Sequence, residues 1–308
     1  MTQTIVASIG LISDTHFQHR SFELPPGLAE LWAGVDLILH AGDVGELEVL
    51  DELGQLAPVV AVHGNDEPEY VQQTLPYQHL LALHGLCILL LHSHYPDPIE
   101  EKANRPGPWG PKLMRIADLG RQAGADIVVY GHTHVPLITP YRDILLFNPG
   151  ALASGTYFTR QVTRSAGRLE VKADGAFEVT HWNVDTGQPC VFAAADPDEE
   201  FQRLASRYQA WMVEPDLIPD IHSLRELTYE NLRAVVRALT PVYRRRLNDG
   251  LISRADLIEA VRLSSSIAEQ DRAGMLALLD LDPRPPRFLS KPRRSGLCKI
   301  RKKGADHD

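Results

Sequence analysis

Five apolar, strand-like runs in this chain each stop at a residue able to hold a metal ion. The run over 4–13 leads into Asp14-Thr15-His16, and the run over 35–40 into Ala41-Gly42-Asp43. The run over 58–62 leads into His63-Gly64-Asn65-Asp66, that over 86–91 into His92-Ser93-His94, and that over 126–130 into Gly131-His132-Thr133-His134. In open α/β sheets, ligands bind beyond the carboxyl ends of the strands, where the loops converge on one crevice. A chain that repeats this pattern five times is constrained to a sheet architecture whose strand ends meet in one place.

Helical periodicity separates these runs. It follows Pro25-Pro26-Gly27 over 24–33 and recurs over 46–56, where Leu47, Leu50, Leu53 and Leu56 share one face. Such strand–helix alternation implies a mostly parallel sheet. Residues 79–92 instead read as two short strands joined at His84-Gly85, and 111–124 as a helix leading into the strand before His132. After Asn148-Pro149-Gly150 the pattern becomes all-β. Leu169-Glu170-Val171 and Phe177-Glu178-Val179 alternate polar and apolar, and Ala173-Asp174-Gly175-Ala176 supplies the hairpin turn between them. The pattern changes again over 191–198. Beyond it, 199–212, 224–239, 254–269 and 273–279 read as helices punctuated by Pro215, Pro219, Pro241 and Asp249-Gly250. The expected division is a catalytic domain over 1–192, a helical extension over 193–282 and a basic, disordered tail over 283–308.

With 308 residues the chain can bury a full core, and 44% hydrophobic with 23% charged residues is the balance of a soluble globular protein. The formal charge of −9 argues against non-specific nucleic-acid binding by the body. The tail differs: over 283–304 its only charges are basic, at Arg284, Arg287, Lys291, Arg293, Arg294, Lys299, Arg301, Lys302 and Lys303. It offers nucleic acid, an anionic membrane or a protein partner an electrostatic contact, although a basic, proline-rich tail is more often simply solvated. Cys87, Cys190 and Cys298 are far apart and odd in number, with no C-x-x-C pair, which argues against a disulfide framework or a structural zinc site and fits a reducing compartment. The N-terminus lacks a basic leading segment, and the longest apolar stretch, 80–91, is broken at His84-Gly85 and too short to span a bilayer. The expected location is cytoplasmic, with no transmembrane segment.

Asp14 and His16, separated by one residue, project to the same side of an extended segment and can share an ion. Asp43 can bridge two ions through its two oxygens. With Asn65, His92, His132 and His134 they form a mixed nitrogen and oxygen set without thiolate, which suits Mn²⁺, iron or Zn²⁺ better than Ca²⁺. Seven ligands are too many for one tetrahedral zinc and suit a pair of divalent ions, the usual device for in-line phosphoryl displacement.

The ordered motifs Asp14-x-His16, Gly42-Asp43, Gly64-Asn65-x-Glu67, His92-x-His94 and Gly131-His132-Thr133-His134, followed by Asn148-Pro149-Gly150, resemble those of the calcineurin-like metallophosphoesterases. Within that superfamily the chain is similar to the small bacterial and archaeal phosphodiesterase branch, which is related to the metallophosphoesterase-like subunit of retromer. The resemblance covers roughly 5–184. It implies a four-layer α-β-β-α sandwich, here followed by the helical extension and basic tail. It also implies Asp14, His16 and His134 on one metal, Asn65, His92 and His132 on the other, and Asp43 between them. The implied reaction is attack on phosphorus by a hydroxide bridging two ions, manganese foremost, with iron, nickel or zinc as alternatives. The implied substrate is a small phosphodiester or nucleotide-like molecule.

Three positions depart from the family pattern. Where classical members carry a leaving-group acid, the His after the metal-binding Asn, this chain has Asp66; substitute acids are Asp66, His63 and His94. Phe17 and Ser93 replace glycines. The segment 93–111 is expected to form a lid or substrate wall. His40 and His63 read as residues behind the ligands, and the Asn148-Pro149-Gly150 turn as a support beneath them. The alternative from another class is a retromer-subunit-like interaction scaffold with little or no turnover.

Overall fold

The apolar runs become parallel strands distributed over two sheets. The computed structural model describes residues 4–17, 24–155, 158–194, 196–225, 241–242, 246, 250–265 and 267–279. The first sheet contains β1 (Ile5–Ile12), β2 (Leu37–His40), β3 (Val59–Ala61), β10 (Ser165–Lys172), β11 (Phe177–Asn183) and β12 (Gln188–Cys190), ordered β12-β11-β10-β1-β2-β3. In it β1, β2 and β3 run parallel, and β10 closes antiparallel on β1. The second contains β4 (Gln78–Leu83), β5 (Leu86–Leu91), β6 (Ile127–Tyr130), β7 (Leu137–Tyr141) and β8 (Ile144–Asn148), ordered β4-β5-β6-β8-β7. Here β5, β6 and β8 are parallel, while β4 and β7 form antiparallel edges. His84 and Gly85 both take positive φ in the β4–β5 turn, as a tight hairpin requires.

Strand period explains why the runs are continuously apolar. In β6, Ile127 and Val129 face the other sheet, while Val128 and Tyr130 face a helix; β5 divides Ile88 and Leu90 from Leu89 and Leu91 in the same way. Both faces are therefore buried, as in parallel sheets generally. Ile9, Leu11 and Leu39 meet Ile88, Leu90, Val129 and Phe147 in the central layer. Outside the first sheet, α1 (Pro26–Leu31) and α2 (Glu48–Gly54) bury Leu28, Leu31, Val49 and Leu53 against Ile12 and Ile38. Outside the second, α5 (Trp109–Ala123) buries Leu113 and Ile116 against Leu89 and Val128. These are the four layers the sequence resemblance implied. Two short helices, α3 (Glu69–Thr74) and α4 (Pro98–Asn104), lie in the loops above the strand ends.

The extension is not wholly helical. In place of a helix over 199–212, the chain forms α6 (Phe201–Ala205), turns, and then forms β13 (Gln209–Trp211). β13 pairs antiparallel with β9 (Thr159–Gln161). The reason is tertiary: β9 offers an open edge, and pairing with it outweighs the weak helical periodicity of Gln209-Ala210-Trp211. The rest is α7 (Ile218–Arg225), α8 (Arg254–Leu263) and α9 (Glu269–Leu279), packed around Phe158, Met212, Leu217, Ile221, Ile252, Leu257, Val261 and Met275. α8 opens with a Ser253–Asp256 capping box and stops at Ser264, which is extended, so the helix expected over 254–269 ends at Leu263, and the one expected over 273–279 begins earlier, at Glu269. Beyond Arg225, the helix expected over 224–239 lies outside the described residues, as does the basic tail. Among the described residues no helix is long and apolar enough to cross a membrane.

Candidate metal centre

All five predicted ligand loops leave the carboxyl ends of β1, β2, β3, β5 and β6, on one side of the sandwich. The backbone there is strained. Asp14, His16, Asp43, Ser93, His132 and His134 have φ between 50° and 78°; the other positive-φ residues besides glycine, among those described, are His84 and Arg142, both in hairpin turns. Such positions cost about 1–3 kcal/mol each and persist only where the surroundings over-determine them. Here the loops are tied together. Asp14 N–H donates to Gly42 O (3.0 Å), His16 N–H to Asp43 O (2.9 Å), and His132 N–H to both Asp14 carboxylate oxygens (3.1 and 3.2 Å). Arg115 of α5 donates to Ser93 O and His94 O, at 2.8 and 3.1 Å. The motif glycines permit this closeness: a Cβ on Gly64 would fall on the Asp43 carboxylate, and one on Gly131 on the Ser13 hydroxyl.

Ligand atoms of Asp14, His16, Asp43 and His134 all lie within 4.8 Å of one another. His16 Nε2 and His134 Nε2 are 3.0 Å apart, and His134 Nε2 is 3.2 Å from Asp14 Oδ1. His16 Nε2 is 3.6 Å from Asp43 Oδ2. The buried His92 Nε2 sits 3.2 Å from Asp43 Oδ2 and 4.0 Å from Asp14 Oδ1, out of hydrogen-bonding line with any partner. Two imidazole nitrogens face to face need a proton or a cation between them. Donors about 3 Å apart are also what octahedral coordination at 2.0–2.1 Å demands of adjacent ligands. The residues present therefore fit a divalent metal. The electrostatics agree. Burial alone would lower the pKa of His92, yet Asp43 and Asp14 push it up to about 10. Burial is likewise outweighed at His16, which Asp43, Asp66 and Asp14 push up to about 9. The site asks for positive charge, and protons on these rings occupy the role a metal ion would take.

Each predicted histidine ligand also has one ring nitrogen held by a group outside the ligand set. His16 Nδ1 is 3.1 Å from Asp66 Oδ2, and His92 Nδ1 is 2.8 Å from Ala41 O. His132 Nε2 is 3.0 Å from Glu101 Oε1, and His134 Nδ1 is 3.2 Å from the Gln209 amide. A partner on one nitrogen selects the tautomer that leaves the other free for metal. Burial would raise the Glu101 pKa, but its hydrogen bond and charge interaction with His132 bring it down to about 2.

The remaining predicted residues are placed as follows. Asn65 is exposed, and its backbone N–H donates to Asp43 Oδ1 (2.9 Å). His132 does not join the four-residue cluster, and its Nε2 is paired with Glu101 Oε1. His94 is buried, its ring 5.5 Å from that of His92 and 5.8 Å from that of His63. Burial and the neighbouring His92 and His132 bring His94 down to about 3. His40 is buried beside the Thr15 hydroxyl (3.1 Å), and burial lowers it to about 3. Asn148 supports the site from beneath, donating to Gly131 O (3.2 Å) and Thr133 Oγ1 (3.0 Å).

Three residues were given no role by the sequence. Glu67 is buried and accepts from Val44 N–H and Gly64 N–H, each at 2.9 Å, which pins two ligand loops together. Its place at the acidic end of Gly64-Asn65-Asp66-Glu67 was an available signal. Glu101, on the exposed helix α4, and Gln209, on β13, carried none.

Two apolar-cored sheets with carboxylates and histidines gathered at their strand ends define an α/β sandwich with a candidate metal site. The sequence pattern of the calcineurin-like phosphoesterase superfamily domain matches residues 8–174, and the chain belongs to that superfamily. It is 41% identical over 143 residues to a probable metallophosphoesterase of Methanocaldococcus jannaschii, an alignment covering 46% of this chain and 67% of that protein. It is 24% identical over 156 residues to a phosphodiesterase of the same organism, covering 46% of this chain and 82% of that protein. Among solved structures, zinc-complexed Vps29 of Entamoeba histolytica is similar at 24% identity and a TM-score of 0.46, over 59% of this chain and 96% of that chain. Superfamily membership supports a hydrolase of phosphate esters that uses divalent metal.

Proposed function

We propose that the protein is a phosphodiesterase that hydrolyses a P–O bond of a small phosphodiester at a centre holding two divalent ions, manganese foremost. The convergence of Asp14, His16, Asp43 and His134, with the buried His92 Nε2 beside the same carboxylates, carries this reading. Asp14, His16 and His134 would hold one ion, Asn65, His92 and His132 the other, and Asp43 both. A bound pair of such ions acidifies water and neutralises charge on phosphate oxygens.

The chain's own residues position and insulate this chemistry. Asp14 and Asp43 are buried, so their charge acts in a medium of low dielectric. The strained loops hold the donors without reorganisation. Of the three side chains able to serve the leaving group, Asp66 is engaged with His16 and burial keeps the His94 ring neutral, which leaves His63 for proton transfer. Absence of a histidine at position 66 favours a leaving group that needs little protonation, and the phosphodiesterase relative supports a diester.

The test supplies purified protein with Mn²⁺ and compares bis-p-nitrophenyl phosphate with p-nitrophenyl phosphate. Faster diester turnover is expected; equal or faster monoester turnover refutes the preference. Fewer than two tightly held ions, with no turnover in Mn²⁺, Fe²⁺, Ni²⁺ or Zn²⁺, refutes the enzyme and favours an interaction scaffold.

A further inference from the structure

We infer that the C-terminal extension is part of the metal centre, and that Gln209 on β13 is a positioning residue that sets the tautomer and orientation of His134. This rests on the metal-centre reading above and goes beyond it, because the superfamily match ends at residue 174 and assigns the extension nothing.

His134 is held from two sides by one small sheet. Gln161 and Gln209 are direct cross-strand partners in the β9–β13 ladder. Gln161 Nε2 donates to the His134 carbonyl at 3.0 Å, while the Gln209 amide lies 3.2 Å from His134 Nδ1. Directly opposed residues in a ladder project to the same face, so the two glutamines clamp one residue, backbone and ring together. The residue they clamp has φ of 56°, a conformation that needs such support. Its Nε2 is the atom that faces His16 Nε2 and Asp14 Oδ1.

The chemistry follows from the imidazole. The Gln209 amide nitrogen is the atom placed 3.2 Å from Nδ1. The oxygen and nitrogen of an amide exchange places by a half-turn, and with Oε1 there, accepting from Nδ1–H, Nε2 carries a lone pair toward the carboxylates, which is the form that binds a cation. The clamp is welded to the extension's core. Met212 N–H donates to Phe158 O (2.8 Å), Ile252 N–H donates to Met212 O (2.6 Å), and Phe158, Met212 and Ile252 are all buried in that core. Packing of α7, α8 and α9 therefore bears on where Gln209 stands. The extension earns its place by holding a ligand.

The experiment titrates Mn²⁺ into the full-length, chelator-stripped chain and follows free Mn²⁺ by its EPR signal. Gln209→Leu, similar in size but unable to accept a hydrogen bond, should weaken one site about 10–100-fold. Gln209→Glu, a stronger acceptor, should bind at least as tightly as wild type. Wild-type affinity in Q209L, or a Q209E as weak as Q209L, overturns the inference. Should Q209L fail to fold, Gln209→Met takes its place with the same criteria. A wild-type chain that holds no ions refutes the metal centre itself, whichever variants are made.

Discussion

Asp66 stands where the classical acid would be, and its geometry makes a different prediction from that position. Its Oδ2 lies 3.1 Å from His16 Nδ1, with the His16 side chain 5% exposed and the Asp66 side chain 33% exposed. A hydrogen bond to an ionised partner contributes about 1.5–3 kcal/mol. Exposure of the carboxylate favours the low end, so Asp66→Ala should lose about 1.5 kcal/mol of ion binding at His16, or roughly tenfold in affinity. Asp66→Asn should lose less, because its amide oxygen still accepts from Nδ1–H. An acid role predicts another pattern, with kcat reduced about 10²–10⁴-fold at saturating metal and ion affinity unchanged. Mn²⁺ titration by EPR, paired with bis-p-nitrophenyl phosphate turnover at saturating Mn²⁺, separates the two. Wild-type affinity in D66A together with a hundredfold loss of kcat would refute the positioning argument and restore Asp66 as the acid.

Gly131→Ala forces a Cβ onto the Ser13 hydroxyl and within 2.9 Å of Asp14 Oδ2; it should destabilise the fold by about 1–3 kcal/mol in urea unfolding and weaken Mn²⁺ binding. Gly54→Ala, whose new Cβ meets nothing within 4 Å, is the control, and equal effects in both variants would sink the argument. The metal-free protein should be most stable near pH 6.5. His16 and His92 have folded pKa values raised to about 9 and about 10, so their contribution is full below 6.5 and lost as pH rises toward those values. Burial depresses His40 and His94 to about 3 and His181 to about 4, so their contribution is lost as pH falls from 6.5 toward those values. Denaturant titrations from pH 4 to pH 10 check this, and a flat alkaline arm would contradict it. Mn²⁺ at about 100 times its Kd should raise stability by about 2.7 kcal/mol and EDTA should remove the gain; an unmoved thermal midpoint would mean no ion binds the fold.

What the sequence disclosed and what it hid divide along a physical line. The positions of the candidate ligands at the strand ends were legible because the same feature that makes a buried parallel strand, an unbroken run such as Ile127–Tyr130, also marks where that strand ends. The layers were legible for the same reason: residues buried on both faces need something packed on both. The strand at Gln209–Trp211 was not, because its three residues form a strand through pairing with β9, a partner far away in the chain. The groups that hold the histidines were hidden in the same way. Asp66, Glu101 and Gln209 lie 50, 31 and 75 residues from the rings they touch, with no common spacing and no common residue type. A metal ligand is selected by chemistry that few residues possess, whereas any acceptor can hold the second nitrogen of an imidazole. Motifs therefore report the candidate ligands, and only the fold reports what orients them. That asymmetry is why an extension outside the superfamily match can touch a candidate metal ligand without leaving a signature in its own sequence.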